Sequence, residues 1–570
     1  VEWLTMVRGQ FVILVSVGAT IACSESKSRG QAIIYVDGNA SGGSHNGSSW
    51  CNAYVELQPA LASAISGTTI RVADGVYHPD PTGLPNPRSA TFQLENAVAL
   101  EGGYAGCGAP NPNVRNTNPS ATIFSGDILG NDPSGNEFRD CCNATYLPGC
   151  PDAACAAAVC AQHSLCCDIQ WEQICAETAQ TACAALCDSR DDNSYHVVTG
   201  SATDATAVLD GVIITLGSAD VPTFPSEDAK GAGMYAQGGS PTIRNCLFRG
   251  NDARELGGGL YARNGGPQVT SCTFEDNRSR NYNTEGAASG AGACVENGNP
   301  AFTGCTFTAN TVDVFGQGAG ILLNSSAGTI QDCRFTENLG AAIEAIAGNP
   351  VIERCRFMGN TAAILLMGGT PSVRHCLILG NYYAIVSSGG APEIVNSLIV
   401  GNISGGSGGG ISCSSSSATI LDCTIVGNTA PTNGGGVYLG GNGTSRVQNC
   451  IVWGNMRQSQ PSQVYLQPFS PSSIPTLTVS YSDVQGGQGG VGGSGTLIWG
   501  AGNIDQDPLF LDADGADGVV GNEDDNLRVR QSSPCIDAGD NSAVPAFVTV
   551  DLDGRPRVID ADNHGGAVVD

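Results

Sequence analysis

Between residues 241 and 455 one arrangement of apolar and polar positions recurs nine times, beginning with PTIRNCLFRGN (241–251) and ending with SRVQNCIVWGN (445–455). In each eleven-residue copy the sixth and eighth positions lie on one face of an extended strand, because side chains alternate with a period of two. The sixth position is Cys246, Cys272, Cys305, Cys333, Cys355, Cys376, Ser397, Cys423 and Cys450. The eighth is Phe248, Phe274, Phe307, Phe335 and Phe357, then Ile378, Ile399, Ile425 and Val452. The eleventh is asparagine every time: Asn251, Asn277, Asn310, Asn338, Asn360, Asn381, Asn402, Asn428 and Asn455. The pattern predicts short strands ended by a turn. Asparagine suits that turn because it tolerates the left-handed backbone region, and its amide can bond the same amide in a neighbouring copy. Glycine runs such as GGGLY (257–261), GAGAC (290–294), GAGIL (318–322) and GGGVY (434–438) then open the next strand, where the backbone bends tightly.

Spacing decides the architecture. Measured at Cys246, successive copies lie 26, 33, 28, 22, 21, 21, 26 and 27 residues apart. A floor of 21 with irregular excess fits one three-strand coil of a parallel β-helix from which loops bulge, whereas helical repeats hold 33–34 residues rigidly. Coils stacked about 4.8 Å apart would set like residue on like residue in continuous dry columns. The signature Phe-x-x-Asn followed by Gly-Gly-Ala/Gly-aliphatic resembles the repeats of the polymorphic outer membrane protein family, over roughly residues 207–485. More broadly it resembles bacterial secreted right-handed parallel β-helix proteins. The fold class this implies is all-β, a right-handed parallel β-helix with a capping helix at its N-terminal end. The stretch 35–77, where Leu57, Leu61 and Ile65 repeat at helical spacing with Ala60 and Ala64, resembles that opening segment. A plug is physically required there, since an open coil end exposes strand edges and apolar core.

Composition sets the compartment and the excluded partners. The net charge is −28 and only two lysines occur, Lys27 and Lys230, so a polyanion such as nucleic acid is excluded as a main partner. The segment FVILVSVGATIA after Arg8 is too short to span a bilayer and fits a secretion signal. Its end, A-T-I-A-C, resembles a lipoprotein signal, which implies lipidation at Cys23; ordinary cleavage after Ala22 is the other reading. The organisation expected is a signal (1–23), a linker (24–31), a cap with first coils (32–136), a Cys-rich insert (137–193), coils (194–485) and a Gly/Asp-rich C-terminal module (486–570). That last stretch carries Ser-Pro-x-Ile-Asp-Ala-Gly (533–539) and Asp-Leu-Asp-Gly-x-Pro-Arg (551–557), which resemble the C-terminal module of choice-of-anchor-type secreted proteins.

Ten of the 24 cysteines crowd the insert: Cys141, Cys142, Cys150, Cys155, Cys160, Cys166, Cys167, Cys175, Cys183 and Cys187. In an exported chain they predict a disulfide knot in a mainly helical insert, with pairing open. Zinc is the alternative, although its usual C-x2-C spacing is missing. The repeat cysteines are expected to remain reduced and packed as small apolar groups, because stacked parallel side chains point the same way. Cys51 and Cys107 are expected to pair across the cap.

Candidate chemistry is sparse. The Asn-Thr-Asp, Asp-Asp, Gly-His-Gly and Arg-Ile-Lys motifs of polygalacturonase-like proteins are not intact; Asp191-Asp192 and His564-Gly565 read as solvated loop residues. No catalytic constellation is assigned. A polar strip, Asp332, Arg354, Arg356, Arg374 and His375, is the carbohydrate-binding candidate, and a salt-bridged surface is its plainer reading. Asp512, Asp514, Asp517, Glu523 and Asp525, on a Gly-rich loop, are the metal candidate, with Ca2+ as the ion that clustered carboxylates suit. The leading functional reading is an exported cell-surface or extracellular scaffold, adhesin-like, meeting polysaccharide or other surface components and touching membrane only through a lipid anchor. The alternative is a carbohydrate-active enzyme, a polysaccharide lyase or glycoside hydrolase, on the same coils.

Overall fold

A computed structural model describes residues 32–116, 121–130, 132, 153–168, 173–183, 190–221, 223, 225–280, 289–312, 318–559 and 568–569. Cys23, Cys141, Cys142, Cys150, Cys187 and His564-Gly565 lie outside the described residues. Among these residues, three parallel sheets run the length of the coils. The first has 15 strands from Ile33–Val36 to Thr496–Trp499, the second 13 from Gly75–Tyr77 to Asp483–Val484, and the third 13 from Phe92–Gln93 to Val491–Gly493. The last windings therefore extend past residue 485, through the glycine-rich run assigned from sequence to the terminal module. Those glycines follow the coil because strand pairing continues from Tyr465 to Gly492 and from Val479 to Trp499.

Register is kept from winding to winding. Phe248 pairs with Phe274, then Phe307, Phe335, Phe357 and Ile378. On the first sheet Ile243, Val269, Phe302, Ile330, Ile352 and Val373 form the matching file. All of these side chains are fully buried. The phenylalanine rings lie 4.7–5.0 Å apart with planes within 7° of parallel, which is the strand spacing imposed on the rings.

Two tight corners make each winding close. Between the first and second sheets a single residue with positive φ turns the chain, as at Asp332 (φ 55), Arg354 (φ 52), His375 (φ 55), Asn396 (φ 45) and Asp422 (φ 55). The second corner corrects the reading of the asparagines. The left-handed residue there is the one before each asparagine, for example Asp276 (φ 51), Glu337 (φ 55) and Gly380 (φ 57). The asparagine itself points inward and is buried, and its role is the ladder alone. Asn338 Nδ2 donates to Asn360 Oδ1 at 2.9 Å, and Asn360 Nδ2 to Asn381 Oδ1 at 2.9 Å; each backbone N–H bonds the same neighbouring oxygen. A further bond from each amide reaches a backbone carbonyl of the preceding winding, Phe335 O for Asn360. The ladder ends at Gln463, whose Oε1 accepts from Asn455.

The repeat thiols are buried and unpaired, as expected. They accept backbone N–H groups, Cys246 N from 3.4 Å to Cys272 Sγ, and donate to carbonyls such as Leu209 O. Burial pushes the Cys272, Cys355 and Cys423 thiols up, so they stay protonated. Ser397 replaces the thiol without breaking the file, its hydroxyl accepting from Cys376 N at 3.1 Å.

The N-terminal plug is the helix Leu57–Ser63, with Leu57 and Ala60 buried against the core. Ile65 lies beyond its end and is 60% exposed, so the apolar stripe is one turn shorter than its sequence suggests. Cys51–Cys107 ties the plug to a winding. In the insert, Cys155–Cys183, Cys160–Cys167 and Cys166–Cys175 staple the helices Ala153–Cys160, Leu165–Asp168 and Gln173–Ala182. Among the described residues its core is five buried side chains, few enough that the bridges are needed to hold the helices. These disulfides place the chain in an oxidising, extracytoplasmic compartment.

Two predictions follow from the packing. Asn360→Ala leaves Asn338 Nδ2 and a backbone N–H without their acceptor, a loss on the order of 3 kcal/mol, read as a lowered denaturation midpoint; Thr370→Ala on the surface should leave it unchanged. Glu344 is fully buried on the outer face of the third sheet; among the described residues only Ser289 donates to it, at 3.3 Å, and burial pushes its pKa up to about 7. A raised carboxyl favours the fold while protonated, so that stability is lost as pH rises from about 4.5 through about 7. The thermal midpoint of Glu344→Gln should exceed that of the parent at pH 8, by up to about 3 kcal/mol of stability, and match it near pH 4.

Candidate functional site

After Trp499 the chain turns back over the corner between the first and second sheets. A short antiparallel pair, Phe510–Asp512 with Asn526–Val529, starts this terminal module. The module is seated on the positive-φ corner residues. Asn396 Nδ2 donates to Val550 O at 3.0 Å, and Asn449 exchanges bonds with the Asp540 backbone at 2.9 and 3.1 Å. Val548 is buried with Val395 and Leu421 in a small apolar contact.

That seating separates the five residues read as a polar strip. Arg354 binds Asp332 through two bonds, 2.8 and 3.1 Å, and both side chains stay 44% exposed. Arg374 pairs with Glu353 at 3.2 Å and stacks on the Phe547 ring at 4.8 Å. His375 is buried; burial depresses its pKa against an opposing hydrogen bond to the Val550 backbone. Arg356 reaches Glu523 at 3.7 Å beside Arg334 at 2.9 Å. One half of the strip is thus an exposed ion-pair chain and the other half is the module's seat.

The acidic loop does not converge on a centre either. Asp517 accepts from Val519 N and Asn522 Nδ2, and Asp525 from Gly521 N and Asn522 N. Glu523 turns away to the arginines. Among the described residues no three His, Cys, Asp or Glu side chains gather as a metal site. The reason is local: in a Gly-rich loop the carboxylates satisfy their own turn amides first.

Between module and coils lies a cavity of about 420 Å3. Asn396, Asp422, Asn449 and Tyr481 contribute to it from the corner, and Asp483 from the adjoining strand. Asp525, Arg528, Asp551, Asp553 and Arg557 contribute from the module, with Arg356 and Glu523 at its side. Asp422 is the most enclosed of these carboxylates, with its side chain fully covered. Its Oδ1 accepts from Asn449 Nδ2 at 3.0 Å and faces Arg557 at 3.8 Å, while its Oδ2 is buried without a hydrogen-bond partner. Burial raises its pKa despite Arg557. Asp483 is raised by burial as well, and Cys535 Sγ donates to it at 3.2 Å. Asp553 is displaced the other way. Arg528 binds both of its oxygens at 2.5 and 2.6 Å in an exposed pair and lowers its pKa.

Sequence reasoning missed Asp422, Asp483, Asp553, Arg528 and Arg557. One signal was present: Asp422 occupies the same repeat position as Asp332, Arg354 and His375, in the copy ATILDCTIVGN. Asp553 and Arg557 lie in the motif Asp-Leu-Asp-Gly-x-Pro-Arg (551–557), but their meeting with the coils depends on a long-range fold-back that the motif does not reveal.

Residues 230–402 match the family model described as the right handed beta helix region. The fold is a right-handed parallel β-helix. No curated protein matches the chain in sequence. Among solved structures it is similar to the A-module of the Azotobacter vinelandii mannuronan C-5 epimerase AlgE4, at TM-score 0.35 and 10% identity, covering 79% of this chain and 93% of that one. It is similar to pectate lyase Pel9A at 0.31 and 15%, covering 91% and 95%. It is also similar to the catalytic unit of a GH87 α-1,3-glucanase from Streptomyces thermodiastaticus strain HF3-3 at 0.30 and 12%, covering 79% and 65%. These likenesses extend to the coil and say nothing of the cavity.

Exposed ion pairs contribute little, about 0–1 kcal/mol each, so the module's seat depends on its small apolar contact. Val548→Asp should release the module and open the stretch 500–510 to limited proteolysis. Glu523→Gln, which removes only the exposed pairs, should leave the digestion pattern unchanged.

Proposed function

We propose that this protein is an extracytoplasmic carbohydrate-active enzyme that hydrolyses glycosidic bonds in the cavity between its coils and its terminal module. The observation that carries the reading is the opposite displacement of two carboxyls lining one cavity: Asp422 raised by burial, Asp553 lowered by Arg528. Environments that push two carboxyls apart assign an acid and a base. Glycoside hydrolysis uses such a pair. In this assignment Asp422 gives its proton to the leaving glycosidic oxygen. Asp553, kept ionised and oriented by Arg528, takes a proton from the attacking water, each of its oxygens retaining a second lone pair. Asn449 fixes the Asp422 carboxyl from the opposite side.

Charge favours hydrolysis over elimination from a uronate. Six carboxylates against three guanidinium groups line the cavity, and the chain as a whole carries −28, so a polyanionic glycan is repelled. The scaffold reading accounts for the coils, and the repeats' likeness to polymorphic outer membrane proteins fits an exported setting. It does not account for an enclosed carboxyl with an unpartnered oxygen at a lined cavity, an arrangement that costs stability unless it serves a ligand.

Asp422→Asn should lower kcat by about 10²–10⁴-fold with little change in KM, measured as reducing ends released from neutral and amino polysaccharides. The parent's pH profile should fall on the acid side as Asp553 takes up a proton, and on the alkaline side as Asp422 loses one. Full turnover by Asp422→Asn, or no turnover of any such glycan by the parent, would overturn the reading.

A further inference from the structure

We infer that the cavity selects cationic amino-sugar oligomers, glycans whose rings carry a protonated amine, over neutral or acidic ones. The inference rests on the hydrolytic reading for its site and is tested by binding alone.

The three guanidinium groups lining the cavity are already committed to carboxylates. Arg528 is spent on Asp553, Arg356 shares Glu523 with Arg334, and Arg557 faces Asp422. Asp483, Asp525 and Asp551 then have no ion pair with a lysine or arginine among the described residues. Asp483 receives only the Cys535 thiol and the Gln506 backbone N–H. Among the described residues Asp551 accepts the N–H groups of Asp553 and Arg555, and it feels the charge of Arg528 without pairing with it. Asp525 accepts loop amides on Oδ2, while its Oδ1 is buried without a partner; Asp422 Oδ2, likewise unpartnered, carries the proton in the hydrolytic reading and calls for a ligand oxygen as acceptor.

A ligand for this lining must therefore bring donors and positive charge. Buried acceptors without donors cost about 1–3 kcal/mol each, and a ligand that supplies those donors recovers that cost. Neutral sugar hydroxyls provide donors without charge. Uronates bring charge of the wrong sign. A ring ammonium beside hydroxyls provides both, as a charge-assisted bond to carboxylate. A bare metal ion is a poorer fit, because no three ligating side chains gather at one point among the described residues. The volume, about 420 Å3, lies in the range of small-molecule sites, roughly 300–1,000 Å3. Tyr481, packed against Gly502, adds an aromatic ring to the wall, a face on which a sugar ring can stack.

The test is calorimetric titration of the full chain at pH 6 with the trimer of glucosamine, the glucose trimer, the galacturonate trimer and spermidine. The glucosamine trimer should bind at least about tenfold tighter than the glucose trimer, as one charge-assisted bond implies. The galacturonate trimer should give no heat. Affinity should weaken with added salt, and both Asp525→Asn and Asp551→Asn should erase the preference while leaving the thermal midpoint in place. Equal or tighter binding of the glucose trimer would overturn the inference and leave the hydrolytic reading standing. Spermidine binding as tightly as the glucosamine trimer would overturn it too, because charge alone would then be selected. No binding by any glycan, together with no turnover, would remove both.

Discussion

The vertical register of the windings is the constraint on which everything else depends. Each buried asparagine is bonded to the one above it through both its amide and the neighbouring main chain, as from Asn310 to Asn338 to Asn360. A one-residue slip would turn every inward side chain outward. With register locked, the phenylalanine file, the thiol file and the first-sheet aliphatic file each form dry contacts without individual optimisation. Irregular spacing between copies is tolerated because excess residues leave the ring as loops and do not disturb the files.

The same constraint creates the functional surface. A corner made by one left-handed residue projects a side chain outward at a fixed height in every winding. Such a column is free to vary, since the corner needs a backbone conformation and not a side-chain identity; Asp332, Arg354, His375, Asn396 and Asp422 all adopt it. Enclosure comes from the terminal module, which buries the upper part of the column while leaving Asp332 and Arg354 in solvent. One repeat position therefore yields a solvated ion pair in one winding and an enclosed carboxyl, its pKa raised by burial, four windings later.

This explains what could be read in the sequence. Periodicity exposed the coils, the inward cysteines and the asparagine ladder because those features recur under the same local physics. It assigned the left-handed turn one residue late, since asparagine is favoured both by that conformation and by the ladder, and only glycine at Gly250, Gly359, Gly380, Gly401, Gly427 and Gly454 hinted which position bends. The acidic loop drew attention by composition, yet Asp517, Asp524 and Asp525 each accept turn amides of the loop itself. Asp422 and Asp553 were passed over because 131 residues separate them in the chain, and neither stands out until the module folds back. Enclosure and ion pairing, which set their contrast, are tertiary properties.

The central claim is that one cavity holds two carboxyls displaced in opposite directions, Asp422 raised by burial and Asp553 lowered by Arg528. Titration of the aspartate carboxyl carbons by 13C NMR, with Asp422→Asn and Asp553→Asn used to assign the two signals, measures it directly. The account predicts that Asp422 titrates above the ordinary aspartate range and Asp553 below it. Two signals titrating together at the ordinary value would contradict it.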